Sequence, residues 1–176
     1  MTSAAEVLKL AEAGVKAVSN VHKVTKGGIA FDDAFFSHIG EGTDYGKALE
    51  WTGGTQKVGP FTILSQRMIA GKRDGLYVAW DYSFEYGGHH PVTPDMREVR
   101  NFRINPHQSS FDSSFHWYCT AKVKKVGYDY TGKGENRIAR MRVQIDLEAG
   151  HKLAPGKKQK RTWVIEARGD GKHSVS

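Results

Sequence analysis

The sequence predicts a mainly β protein: a single antiparallel β-sandwich, or a strongly curved sheet or barrel, with an amphipathic helix at its N-terminus. Three observations carry this. Apolar residues recur at helical spacing only in the first twenty residues. From Gly27 and Gly28 onward the period changes to two. Twenty glycines against five prolines supply turns between short apolar runs. At 176 residues, 39% hydrophobic and 26% charged, the chain has material for one domain with its own core. The expected division of residues 1–176 is helix and linker over 1–27, a β-rich body over 28–168, and a frayed tail over 169–176.

The helix is expected over residues 3–20, SAAEVLKLAEAGVKAVSN. Ser3 and Glu6 have the spacing of a capping box, in which each satisfies a free backbone donor of the first turn. Val7, Leu8, Ala11, Val15 and Val18 form one apolar stripe, while Lys9, Glu12 and Lys16 lie on another face. Strands are expected over residues 29–36, 47–51 and 61–69. The clearest is 75–87, GLYVAWDYSFEYG, where Leu76, Val78, Trp80, Tyr82, Phe84 and Tyr86 alternate with Tyr77, Ala79, Asp81, Ser83 and Glu85. His89, His90, Pro91 and Pro94 end it. Residues 97–104 read as a strand and 106–114 as a polar loop. Residues 115–126 and 138–148 read as a hairpin turning over 130–134. A basic loop over 150–160 and a last strand over 161–168 follow. The helix packs outside a sandwich or is cradled by a cone of strands.

The formal charge is +7 and the isoelectric point near 9.5, which favours nucleic acid, acidic lipid surfaces or acidic glycans as partners. The one cysteine, Cys119, excludes an intrachain disulfide and suits a reducing compartment. Glu6 and Glu12 interrupt the apolar N-terminus, so it reads neither as a secretory signal nor as a membrane span. The chain is expected to be soluble and cytoplasmic on synthesis, acting outside the cell only if released.

Three constellations could carry chemistry. If the hairpin turn centres near Gly132, Lys122 faces Arg142 and Lys124 faces Arg140. These form a basic patch extended by Lys152, Lys157, Lys158, Lys160 and Arg161, either as a screened outer face or as an anion site. Aromatics are dense, and alternation places Trp80, Phe84 and Trp117 in the core. Tyr77, Tyr118, Tyr128 and Tyr130 fall on outer faces or turns, where tyrosines beside cations suit a membrane interface or stacking on bases or sugars. The histidines match no metal or catalytic motif, and no cofactor signature is present. Glu85, His90 and His107 are the residues from which an acid–base pair could be built. Cys119 sits on an apolar face and reads as packing.

The segment Ala79-Trp80-Asp81-Tyr82-Ser83-Phe84-Glu85-Tyr86 is similar to the aromatic strand of the actinoporins, roughly Met-Trp-Ser-Val-Pro-Phe-Asp-Tyr. The helix leading into Val21-His22-Lys23-Val24 and Gly28-Ile29-Ala30-Phe31 also resembles that family of basic pore-forming cytolysins and the related fungal fruit-body lectin fold. Trp80, Phe84 and Tyr86 carry over, with Glu85 for aspartate. Asp81, Ser83 and His89-His90-Pro91 depart from the family's pattern. The resemblance implies a body that lands on a lipid membrane or glycan through Trp80, Tyr82, Phe84, Tyr86, Tyr118, Tyr128 and Tyr130. The helix bearing Val7, Leu8, Ala11, Val15 and Val18 would then insert, and several protomers would line a pore. A helix of 18–20 residues would span roughly 27–30 Å, close to the hydrocarbon thickness. Nucleic acid or another anion held by Lys122, Lys124, Arg140 and Arg142 is the competing expectation, and a small hydrolase or nuclease the third.

Overall fold

The structure is a computed structural model that describes residues 3–13, 19–26, 29–36, 44–69, 72–112 and 117–176. It is mainly β, with 75% of residues in strands. Of the arrangements expected, a strongly curled single sheet, a half-barrel, is the one observed. Helix α1 (Ala4–Ala13) leads to strands β1 (Ser19–Lys26) and β2 (Ile29–Phe36), then a single turn of helix, α2 (Asp44–Lys47). Three long strands follow, β3 (Glu50–Ile69), β4 (Lys72–His90) and β5 (Thr93–Asp112). The chain ends with β6 (Trp117–Thr131), β7 (Ile138–His151), β8 (Ala154–Arg168) and β9 (His173–Val175).

The spatial order is β3-β4-β5-β2-β6-β7-β8-β9, with β1 paired to β2. Two antiparallel meanders, β3 to β5 and β6 to β9, are joined by β2, which runs antiparallel to β5 and parallel to β6. Register shifts between Trp51 and Gly54 and between Val58 and Phe61 in β3, and several along β4 and β5, mark bulges. Each bulge adds local twist, and together they bend long strands into a curl. At one end the curl is sealed by glycine. The Gly87 N–H donates to the Gly169 carbonyl at 2.9 Å, and the Gly169 N–H to the Ala139 carbonyl at 2.9 Å. A Cβ on Gly169 would lie 2.3 Å from the Arg97 carbonyl oxygen, so only glycine admits this approach.

The concave face holds the main core. Trp80, Tyr82 and Phe84 of β4 meet Val99, Phe102 and Ile104 of β5, Cys119, Ala121 and Val123 of β6, and Met141, Val143 and Ile145 of β7. Phe61 stacks on Trp80 at 4.6 Å and Trp163 tilts against it at 5.9 Å, adding aromatic contact beyond simple burial. Burial pushes the Cys119 thiol up to about 12, which keeps it an inert packing group.

The described helix is shorter than expected. Ser19 and Asn20 already belong to β1, where β-branched Val21, Val24 and Thr25 suit a paired strand; residues 14–18 lie outside the described residues. The capping box is present: the Ser3 N–H donates to Glu6 Oε2 at 2.7 Å and the Glu6 N–H to Ser3 Oγ at 3.3 Å. Part of the strand expected over 47–51 is the turn α2. The expected loop over 106–114 is strand as far as Asp112, because a long β4 offers its ladder to match. The basic loop over 150–160 is a tight turn at Lys152 and Leu153 followed by β8. The tail is not frayed. β9 pairs with β8, and Ser176 exchanges backbone hydrogen bonds with Val164 at 3.0 and 2.8 Å.

Candidate functional site

On β7 burial alternates. Ala139, Met141, Val143, Ile145, Leu147 and Ala149 face the core, so Arg140, Arg142, Gln144, Asp146 and Glu148 face outward. Tyr118, Thr120, Lys122 and Lys124 of β6 flank them on one side, and Lys158, Lys160, Thr162 and Glu166 of β8 on the other. The register differs from the expected one. Lys122 lies opposite Asp146 and Lys124 opposite Gln144, four residues further along β7 than a turn at Gly132 would place them. Two features set it: a 3₁₀ turn at Gly134–Asn136 lengthens the connection so that the ladder closes at Thr131 and Ile138, and a bulge between Lys125 and Gly127 takes one residue back.

The four cations named for anion binding therefore do not face one another. Among the described residues, each but Lys122 meets a carboxylate. Asp129 takes Arg140 at 2.7 and 3.0 Å and Arg142 at 2.7 Å. Asp146 takes Lys124 at 3.1 Å, Gln144 at 2.6 Å and Thr162 at 2.9 Å. Glu148 takes the Tyr118 hydroxyl at 3.1 Å, with Lys158 at 3.5 Å and Lys160 at 3.4 Å. The Gln144 and Lys124 hydrogen bonds hold Asp146 below the usual carboxylate range, and the Tyr118 hydrogen bond, with the two lysines, does the same for Glu148. Lys158 is raised in turn by the Glu148 charge.

Between these clusters runs an open groove of about 450 Å³. Thr120 and Lys122 from β6, Asp146 and Glu148 from β7, and Lys160 and Thr162 from β8 line it, and the strand positions of Leu147 and Arg161, a ladder pair whose side chains take the inward face, complete its floor. Lys122 is not ion-paired with a carboxylate among the described residues.

The aromatic candidates scatter. Trp80, Tyr82 and Phe84 are fully buried, so they build the core and present no ring to a headgroup or sugar; the inward face of β4 took them. Tyr86 is partly buried against that core. Tyr128 and Tyr130, expected on outer faces or turns, instead donate to the buried carboxylate of Glu98 at 2.6 and 2.9 Å. Tyr45 of α2 donates to it as well, at 2.7 Å. Only Tyr118 of the seven stands beside the groove. Neither Glu98 nor Tyr45 was singled out from the sequence, although a glutamate two residues beyond inward-facing Met96 shares its side of the strand.

Val7 is buried against Tyr45, Leu49 and Met96, with Leu8 partly buried beside it. Ala11 belongs to α1, but its side chain, like Val15 and Val18, lies outside the described residues. No helix among the described residues is long and apolar enough to cross a membrane.

Of the acid–base set, Glu85 and His90 are not brought together. Glu85 is engaged by Arg100 at 2.7 Å and Asn101 at 2.9 Å. His90, five residues or about 16 Å further along the strand, stacks on Tyr45 at 6.0 Å. The side chain of His107 lies outside the described residues. Among the described residues no group of three histidine, cysteine or acidic side chains could hold a metal.

No protein-family model matches the chain, and no curated protein or solved structure matches it either.

Proposed function

We propose that this chain is a binding module that takes an anionic glycan in the groove on the outer face of β6, β7 and β8. The observation that carries the reading is the grouping of Lys122 and Lys160 around the hydroxyls of Thr120 and Thr162 in one open groove. Ammonium groups suit the sulfate or carboxylate of an acidic sugar. Asp146 accepts from sugar hydroxyls, and the two carboxylates Asp146 and Glu148 disfavour a bare polyphosphate. The net charge of +7 would speed the encounter with a polyanion.

Calorimetric titration with a sulfated hexasaccharide and its desulfated counterpart tests this. The sulfated sugar should bind, more weakly as salt rises. A Lys122→Ala/Lys160→Ala double variant should lose roughly tenfold or more in affinity. Equal affinity in the variant, or indifference to sulfation, sinks the reading.

A second reading, contact with an anionic lipid surface, draws on Leu153, which is 70% exposed at the β7–β8 turn beside Lys152. Cosedimentation with phosphatidylserine vesicles, lost in Leu153→Ser, would favour it over the glycan.

A further inference from the structure

We infer that Tyr118, Lys158 and Lys160 form the anion subsite of the groove, and that Glu148 occupies it in the free protein as an internal stand-in for the ligand's anionic group. The inference rests on the glycan reading of the groove.

The geometry is that of a receptor already filled. Three donors from two strands on either side of β7, the Tyr118 hydroxyl and two ammonium groups, converge on one carboxylate at 3.1 to 3.5 Å. The two lysines remain half or more exposed, with side-chain accessibilities of 50% and 76%, and Glu148 itself is 34% accessible. The cluster is open to solvent on one side, so the carboxylate can turn outward while the donors stay in place on the sheet. Both cations lie on β8 at outward-facing positions two apart, and Tyr118 lies two residues before Thr120 of the groove wall. A sulfate ester would meet three donors where the glutamate now does, and its sugar ring would lie along Thr120 and Thr162.

Two consequences follow physically. Glu148 competes with the ligand for the same donors, so unmodified protein binds below its full capacity. The competition also selects by charge. A sulfate monoester brings a full charge on a tetrahedral oxyanion that can displace the carboxylate, and a neutral sugar hydroxyl cannot.

The test uses the full chain and the same sulfated hexasaccharide. Glu148→Gln should bind about tenfold more tightly than the unmodified protein, with thermal stability little changed because the residue is at the surface. Tyr118→Phe and Lys158→Ala should each weaken binding several-fold, and combining either with Glu148→Gln should cancel its gain. If the unmodified protein binds but Glu148→Gln binds no better, the stand-in is overturned and the groove reading survives. If none of these proteins binds, the groove reading falls and takes the subsite with it.

Discussion

Arg140 and Asp129 face each other across β6 and β7 and are joined twice, Nε to Oδ1 at 2.7 Å and Nη2 to Oδ2 at 3.0 Å. This fork-to-fork pair holds the guanidinium in one orientation, and the same carboxylate also receives Arg142. A strand pair that looked from its cations alone like a repulsive face is, at this end, a neutralised one.

Replacing Asp129 with asparagine leaves two arginines side by side with one fewer charge between them. The groups are about a third exposed, so the expected loss is that of a surface network, about 1 kcal/mol. For a chain of this length that lowers the melting temperature by about 2–4 °C. The loss should shrink in high salt. A calorimetric melting series at two ionic strengths checks it, and an unchanged midpoint at low salt counts against the network.

Stability should also fall in acid, and the sign can be worked out. Burial works against the charged form of Glu85, but hydrogen bonds from Asn101 and Arg100 and the Arg100 charge outweigh it, leaving its pKa below the ordinary value. Asp146 and Glu148 are lowered as well, by the hydrogen bonds described above. A carboxylate with a depressed folded-state pKa stabilises above its unfolded value and loses that contribution as pH falls through the folded one. Melting temperature should therefore hold near neutrality and decline below about pH 4.5. Glu85→Gln should flatten part of that decline. A melting temperature that rises on acidification through this window would contradict the assignment.

How far the sequence announces this molecule depends on how local each signal is. Alternation over 75–87 identifies the inward row of β4, because one face of a half-buried strand must be apolar. The capping box at Ser3 and Glu6 is local too, and it is present. The arms of the β6–β7 hairpin are visible, but their register depends on the length of a connection containing a 3₁₀ turn, and an error there re-pairs every cation. The second half of β8 is legible as the strand expected over 161–168, but its first half and β9 are hidden among lysines and glycines, because their pairing comes from β7 and β8 rather than from their own composition. The tail is held by Gly169, whose importance lies in a backbone contact with Arg97, more than seventy residues away.

Glu98 is the extreme case of a residue read only in three dimensions. On a strand it looks like a solvent-facing charge, yet it is wholly buried and receives hydroxyls from Tyr45, Tyr128 and Tyr130. Burial, then the Glu98 charge, pushes the tyrosine pKa values up, so they stay protonated donors at any physiological pH. Glu98→Ala would leave three phenols in the interior without that acceptor, and breaking a buried charged network of this kind costs about 3–5 kcal/mol. Tyr45→Phe removes one donor of three and should cost only about 1–2 kcal/mol. Glu98→Gln should fall between, since it turns one acceptor oxygen into a donor that faces a phenol. Urea unfolding of the three variants measures the order directly. If Glu98→Ala unfolds at the same urea concentration as the unmodified chain, the carboxylate does not hold this end of the half-barrel together.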